Sequence, residues 1–168
     1  MPTYADALAL FHVWTETDSL RRHGYAVEAS MAEMARRRGG DVEAWRMAGL
    51  LHDLDYEKHP SLDEHPTVGV AELARLGYPE DVRTAILGHA PYLGVPRETD
   101  MAKALFAVDE LSGFVTAVAF VRPDKLDGMT PGHRKKEAPI CCVMPPASPS
   151  CTLVRRMLSR SLVLPGEG

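Results

Sequence analysis

Six side chains in this sequence could do chemistry together: His23, the dipeptide His52-Asp53, His65, His89 and Asp109. Imidazole nitrogens and carboxylate oxygens are ligands for divalent first-row metals. The spacing is 29 residues from His23 to His52, then 12 from Asp53 to His65, 24 to His89 and 20 to Asp109, which makes no local binding motif. Each residue also has an ordinary reading. A lone histidine on a helix is usually solvated or hydrogen-bonded, and Asp109 could pair with an arginine. Asp109 stands out by its setting, Leu105-Phe-Ala-Val-Asp-Glu-Leu-Ser-Gly-Phe114. A bare carboxylate there is costly unless a cation or several donors meet it, whereas Glu110 lies about 100° further round the helix and can face water.

The elements that must position these residues read as helices. Ala5 to Trp14 carries Leu8, Phe11, Val13 and Trp14 on an apolar side. Leu20 to Arg38 has Leu20, Tyr25, Val27, Ala29, Met31, Met34 and Ala35 at roughly helical spacing. Asp18 or Ser19 can cap its start, and Gly39-Gly40 ends it. Its last turn, Arg36-Arg37-Arg38, suits the negative end of the helix dipole better than it suits a basic patch. Asp41 caps a third helix, Val42 to about Asp53, packed by Trp45, Ala48, Leu50 and Leu51. Residues 55–63 read as a charged loop in which Asp55, Glu57 and Lys58 are most simply solvated. His65-Pro66 opens a fourth helix packed by Val68, Ala71, Ala74 and Leu76. A fifth helix runs from Pro79-Glu80 to about His89, and a sixth from Met101 to Val121, where Pro123 ends it. No stretch alternates with the period of a strand. Four of the histidines thus stand at helix ends or on a helix face, and helix ends can meet in one cleft. The expected fold class is all-α, a bundle of about six helices.

Composition bounds the function. The chain of 168 residues fits one domain with a real core. A net charge of -4 gives no reason to expect nucleic-acid binding. No basic-then-apolar leader begins the sequence, and the apolar run 104–121 is interrupted by Asp109, Glu110 and Ser112. Three cysteines read as reduced thiols, so a cytoplasmic setting without membrane contact is expected. The charge is uneven: residues 1–128 hold 13 Lys/Arg against 21 Asp/Glu, and residues 129–168 hold 6 against 2. All the cysteines (Cys141, Cys142, Cys151) and no Phe, Tyr or Trp fall in that last part. The tail 129–168 is therefore expected to be poorly ordered, or to be read in a shifted frame that begins between about Met129 and Arg134.

The ordered set His23, His52-Asp53 and Asp109 resembles the signature of the HD-domain metal-dependent phosphohydrolases. Gly49-Leu-Leu-His-Asp53 and the helix Leu20-Arg-Arg-His-Gly-Tyr-Ala-Val27 match that family's pattern. The chain also resembles the small, single-domain, HDIG-type predicted hydrolases, through His52-Asp-Leu-Asp-Tyr-Glu-Lys58, Ala85 to His89 and Val121 to Lys125. The likeness covers about residues 5 to 128, and the expected HD domain is residues 1–128.

The resemblance implies a helical bundle around a metal site holding one or two divalent ions. His23, His52, Asp53 and Asp109 match the first ion's ligands. His65 and His89 match the positions that relatives with two metals add, and Asp53 would bridge. His12 and His59 match nothing and are expected at the surface. A mixed nitrogen and oxygen site suits Mn, Fe, Co, Ni or Zn. The implied activity is hydrolysis of a small phosphorylated substrate, such as a nucleotide, by a metal-bound hydroxide. Asp53 and His52 are the central catalytic candidates. Lys58, Arg122 and Lys125 are candidates to hold phosphate, although Arg122 and Lys125 could equally end the sixth helix. Asp55 could orient a ligand or a water. Alternative readings are a nucleotide-sensing module without turnover and a di-iron oxygenase of the same fold. The oligomeric state is left open.

Overall fold

The computed structural model describes residues 1–125 and 127. It contains six α-helices: α1 (Tyr4–Trp14), α2 (Asp18–Arg38), α3 (Val42–Leu51), α4 (Thr67–Arg75), α5 (Glu80–His89) and α6 (Asp100–Val121), with a 3-10 turn at Pro91–Leu93. No described residue is in a strand. The expected tail, 129–168, lies outside the described residues. The chain divides into two compact units, Met1–Ser112 and a second that begins at Gly113. In the second unit, Arg122 donates through Nε to the Lys125 carbonyl and through Nη2 to that of Asp127, folding over the turn that follows α6.

Local chemistry sets the helix boundaries. Thr3 and Asp6 form a capping box at the start of α1, with the Asp6 N–H on Thr3 Oγ1 at 3.3 Å and the Thr3 N–H on Asp6 Oδ2 at 2.8 Å. Asp41 caps α3 as expected, accepting from the N–H groups of Glu43 and Ala44. Gly39 ends α2 with φ 70°, a left-handed position that glycine reaches without a steric penalty. Three of the α-helices, α2, α4 and α5, have no side-chain N-cap of their own. Thr17 and Pro66 precede α2 and α4 without a side-chain hydrogen bond to the helix, and both are served from the turn after α3. Glu57 accepts from the N–H groups of Glu16 and Thr17 and from Thr17 Oγ1. Asp55 Oδ2 accepts from the Gly69 N–H, in the first turn of α4, at 2.6 Å. The expectation that these two carboxylates are solvated is therefore corrected: Asp55 is fully buried and Glu57 is tied to α2.

The core of the first unit lies between α2 and α3, with α1, α4, α5 and the start of α6 around them. Phe11, Met31, Leu50, Leu51, Leu54, Leu73, Ile86 and Leu105 are each at most 1% exposed. Fully burying one such side chain stabilises by about 1.5–3 kcal/mol. Two helix faces differ from expectation. In α4 the buried residues are Gly69, Val70 and Leu73, while Ala71, Ala74 and Leu76 are exposed. The Asp55 carboxylate sits against Gly69, where an added Cβ would lie 3.1 Å from it, so this face of the helix packs on the turn after α3. In α2, Tyr25 and Ala29 are exposed, and Glu28 is buried instead, held by the Arg46 guanidinium at 2.6 Å.

Candidate metal centre

His23 projects from the second turn of α2, His52 caps the end of α3, and Asp53 follows it in the turn. His65 precedes α4, His89 is the last residue of α5, and Asp109 lies within α6. The helix bundle brings all six into one cluster. They fall into two groups, His23/His52/Asp109 and Asp53/His65/His89, and within each group the potential donor atoms lie within 4.8 Å of one another.

Asp53 joins the two groups through different oxygens. Its Oδ2 lies 3.3 Å from His52 Nε2 and 3.8 Å from His23 Nε2. Its Oδ1 lies 3.4 Å from His65 Nε2 and 3.5 Å from His89 Nε2. Within the first group, His23 Nε2 is 3.2 Å from His52 Nε2 and 3.0 Å from Asp109 Oδ1, and His52 Nε2 is 3.5 Å from the same oxygen. Two donors bonded to one ion at metal–ligand lengths near 2.0–2.2 Å stand about 3 Å apart. The observed separations are of that size, so these side chains fit a divalent ion on each side of Asp53 without rearrangement.

The imidazoles are oriented from behind. His52 Nδ1 donates to the Gly49 carbonyl at 2.8 Å and His89 Nδ1 donates to the Ile86 carbonyl at 2.5 Å. His65 Nδ1 donates to Asp55 Oδ1 at 2.7 Å. In each case the second nitrogen, Nε2, faces the centre, the arrangement that metal-binding histidines use. His52, His65 and His89 are buried, while Asp53 and Asp109 keep about a quarter of their side-chain surface, 24% each.

Charge in the cluster is strongly coupled. Burial of His52 works against its protonation, yet Asp53 and Asp109 outweigh it and hold the imidazole well above its usual range. Burial likewise opposes ionisation of Asp53, and His52 and His89 overcome it, keeping this carboxyl well below the usual range. Asp109 is lowered against its own burial by His52 and His23.

Lys58 donates to the Val13 carbonyl at 3.2 Å and lies 5.1 Å over the Trp14 ring, so its contacts are with the end of α1. Arg122 belongs to the second unit and holds the turn there. His12 bonds Tyr25 and His59 bonds Glu64. Two residues that the sequence did not single out border the centre. Tyr56 packs edge-on against His65, with centroids 5.2 Å apart, and is 43% exposed. The Tyr92 hydroxyl donates to the His65 carbonyl at 2.6 Å.

No helix among the described residues is long and apolar enough to cross a membrane. No curated protein and no solved structure matches the chain. The HD domain family matches residues 20–113, more than half of the chain and a span that takes in all six clustered side chains. With its ordered His … His-Asp … Asp set gathered in an all-helical bundle, the chain belongs to the HD domain family.

Proposed function

We propose that the protein is a metal-dependent phosphohydrolase that cleaves a nucleotide or another small phosphoester. The observation that carries this reading is the placement of Asp53, whose two oxygens face two separate histidine groups. His23, His52, Asp109 and Asp53 Oδ2 would hold one divalent ion, and His65, His89 and Asp53 Oδ1 a second. The donor set suits Mn, Fe, Co, Ni or Zn. When bound, such a pair supplies Lewis acidity to a phosphoryl oxygen and lowers the pKa of water towards ~7.

The chain's own residues do the rest. The backbone carbonyls of Gly49 and Ile86 fix the imidazoles so that Nε2 presents its lone pair. Asp53 and Asp109 offset part of the cationic charge, which leaves room for an anionic substrate. The exposed ring of Tyr56, beside His65, offers an aromatic surface on which a nucleobase or similar leaving group can lie. The reading assigns no role to Lys58 or Arg122, which donate to the carbonyls of Val13 and Lys125. The reduced-thiol reading of the cysteines favours a cytoplasmic reaction.

The test is a phosphoester panel of monoesters, diesters and nucleotides, run on protein stripped with chelator and reloaded with each metal in turn. Metal-dependent release of phosphate or of a nucleoside monophosphate, lost together with bound metal in His52→Ala, is the expected result. Tight nucleotide binding without turnover would replace hydrolysis by sensing. Oxygen consumption by the iron-loaded protein would replace it by oxidation.

A further inference from the structure

His52, His65 and His89, three of the four histidines that turn Nε2 towards Asp53, are not held alike. His52 and His89 give Nδ1 to backbone carbonyls, whereas His65 gives it to a side chain, Asp55. Asp55 is fully buried, and each of its oxygens meets one donor: His65 Nδ1 at 2.7 Å and the Gly69 N–H at 2.6 Å. An ionised carboxylate can only accept. It therefore fixes the His65 proton on Nδ1 and leaves the lone pair on Nε2, 3.4 Å from Asp53 Oδ1. The group containing His65 is also the poorer in donors. Besides the shared Asp53 it has His65 and His89, whereas the other group has His23, His52 and Asp109. Losing His65 as a donor leaves that side with one imidazole and a shared carboxylate.

We propose that Asp55 is the positioning residue that keeps the His65/His89 side of the centre competent for a divalent ion, by fixing the tautomer of His65. The His23/His52/Asp109 side does not depend on it. The inference rests on the two-ion reading above.

Asp55→Asn separates this role from a purely structural one. The Asn carbonyl can still accept from the Gly69 N–H and preserve the cap on α4. Its NH2 then faces His65 Nδ1, which must become the acceptor and pass its proton to Nε2. Equilibrium dialysis of the full chain against Mn2+ reads the consequence. The wild type is expected to bind two ions. Asp55→Asn is expected to keep one at unchanged affinity and to bind the other about 10–100-fold more weakly. Long-range 1H–15N correlation of the imidazoles in chelated protein reads the cause: the His65 proton on Nδ1 in the wild type and on Nε2 in Asp55→Asn, a change that loosened packing does not produce. If Asp55→Asn fails to fold, Gly69→Ala disturbs the same carboxylate with its charge intact, since a Cβ there would lie 3.1 Å from Asp55 Oδ2. It should weaken the same ion. Two ions bound by Asp55→Asn at wild-type affinity, or an unmoved His65 proton, would overturn the proposal. A wild type that binds fewer than two ions would instead overturn the two-ion reading.

Discussion

Gly49, three residues before His52, lies where α3 packs tightly on the backbone of α2, and adding one methyl group there tests how the centre is supported. A Cβ at Gly49 would lie 2.9 Å from Glu28 Cα, 3.0 Å from the Val27 carbonyl oxygen and 3.0 Å from Met31 Cγ. Two effects oppose each other in Gly49→Ala. Replacing glycine inside a helix recovers about 1 kcal/mol of propensity. Overpacking a close-packed interface costs roughly 1–3 kcal/mol. Two of the three contacts are backbone atoms that cannot swing aside, so the cost should sit in the upper part of that range. A net destabilisation of about 1–2 kcal/mol follows, or a melting temperature lower by roughly 2–8 °C for a chain of this size. The Gly49 carbonyl also receives His52 Nδ1, so the strain should reach the metal site and weaken binding of the first ion. Gly113→Ala is the control: it lies in α6, and among the described residues nothing stands within 4 Å of its Cβ position. There only propensity acts, and stability should rise by up to about 1 kcal/mol. Thermal melts of the two variants and titrations of Gly49→Ala with metal provide the measurements. If Gly49→Ala melts at or above the wild type, the close-approach argument is wrong.

Metal affinity and metal-free stability should respond to pH in opposite directions. Without metal, His52 is held well above its ordinary value of 6.5; its contribution to stability is complete below that value and is lost as pH rises through the folded value. Asp53 and Asp109 are held below their ordinary value of 3.8; their contributions are present above it and are lost as pH falls. The chelated protein should therefore be most stable between about pH 4 and 6.5 and melt progressively lower towards pH 9. An ion must displace the His52 proton, so its affinity should climb over that same interval. A melting temperature of the chelated protein that rises from pH 6 to 9 would contradict the charge assignment. Lys58→Ala should leave metal stoichiometry and substrate KM unchanged while hydrogen exchange quickens at the end of α1, because Lys58 holds the Val13 carbonyl. A large rise in KM with unaltered exchange would return Lys58 to the phosphate-binding role.

The helices were legible in the sequence because their signals are local or compositional. The cluster, whose spacing makes no local motif, was legible through the ordered His … His-Asp … Asp set and its resemblance to the HD family. Asp41 precedes an apolar run, glycines follow others, and Asp109 stands alone in an apolar stretch that had to supply it with partners. The turn after α3 was not legible, because its charged side chains act over long separations. Asp55 reaches Gly69 across 14 residues, Glu57 reaches Thr17 across 40, and Lys58 reaches Val13 across 45. Nothing in a run of Asp, Glu and Lys distinguishes such partners from water. The face of α4 was misjudged for the same reason. Val68, Ala71 and Ala74 make a fair helical stripe, but the buried face is Gly69, Val70 and Leu73, with Gly69 against the Asp55 carboxylate.

That turn explains how a charged cluster can be rigid before it binds anything. From His52 to Lys58 the side chains fan out to the surrounding elements: His52 and Asp53 to the centre, Leu54 to the core, Asp55 to α4 and His65, Tyr56 to the His65 ring, Glu57 to the start of α2, and Lys58 to the end of α1. The N-terminus of α2 carries His23 and the chain just before α4 carries His65. The residues that cap those helices therefore also set the distances between the histidines and Asp53. Because the donors already stand about 3 Å apart, an arriving ion orders few side chains, and more of its binding free energy remains for affinity. The structural and chemical demands on the turn coincide, so a substitution at Asp55 or Glu57 should move the metal site even though neither oxygen pair is among its donors.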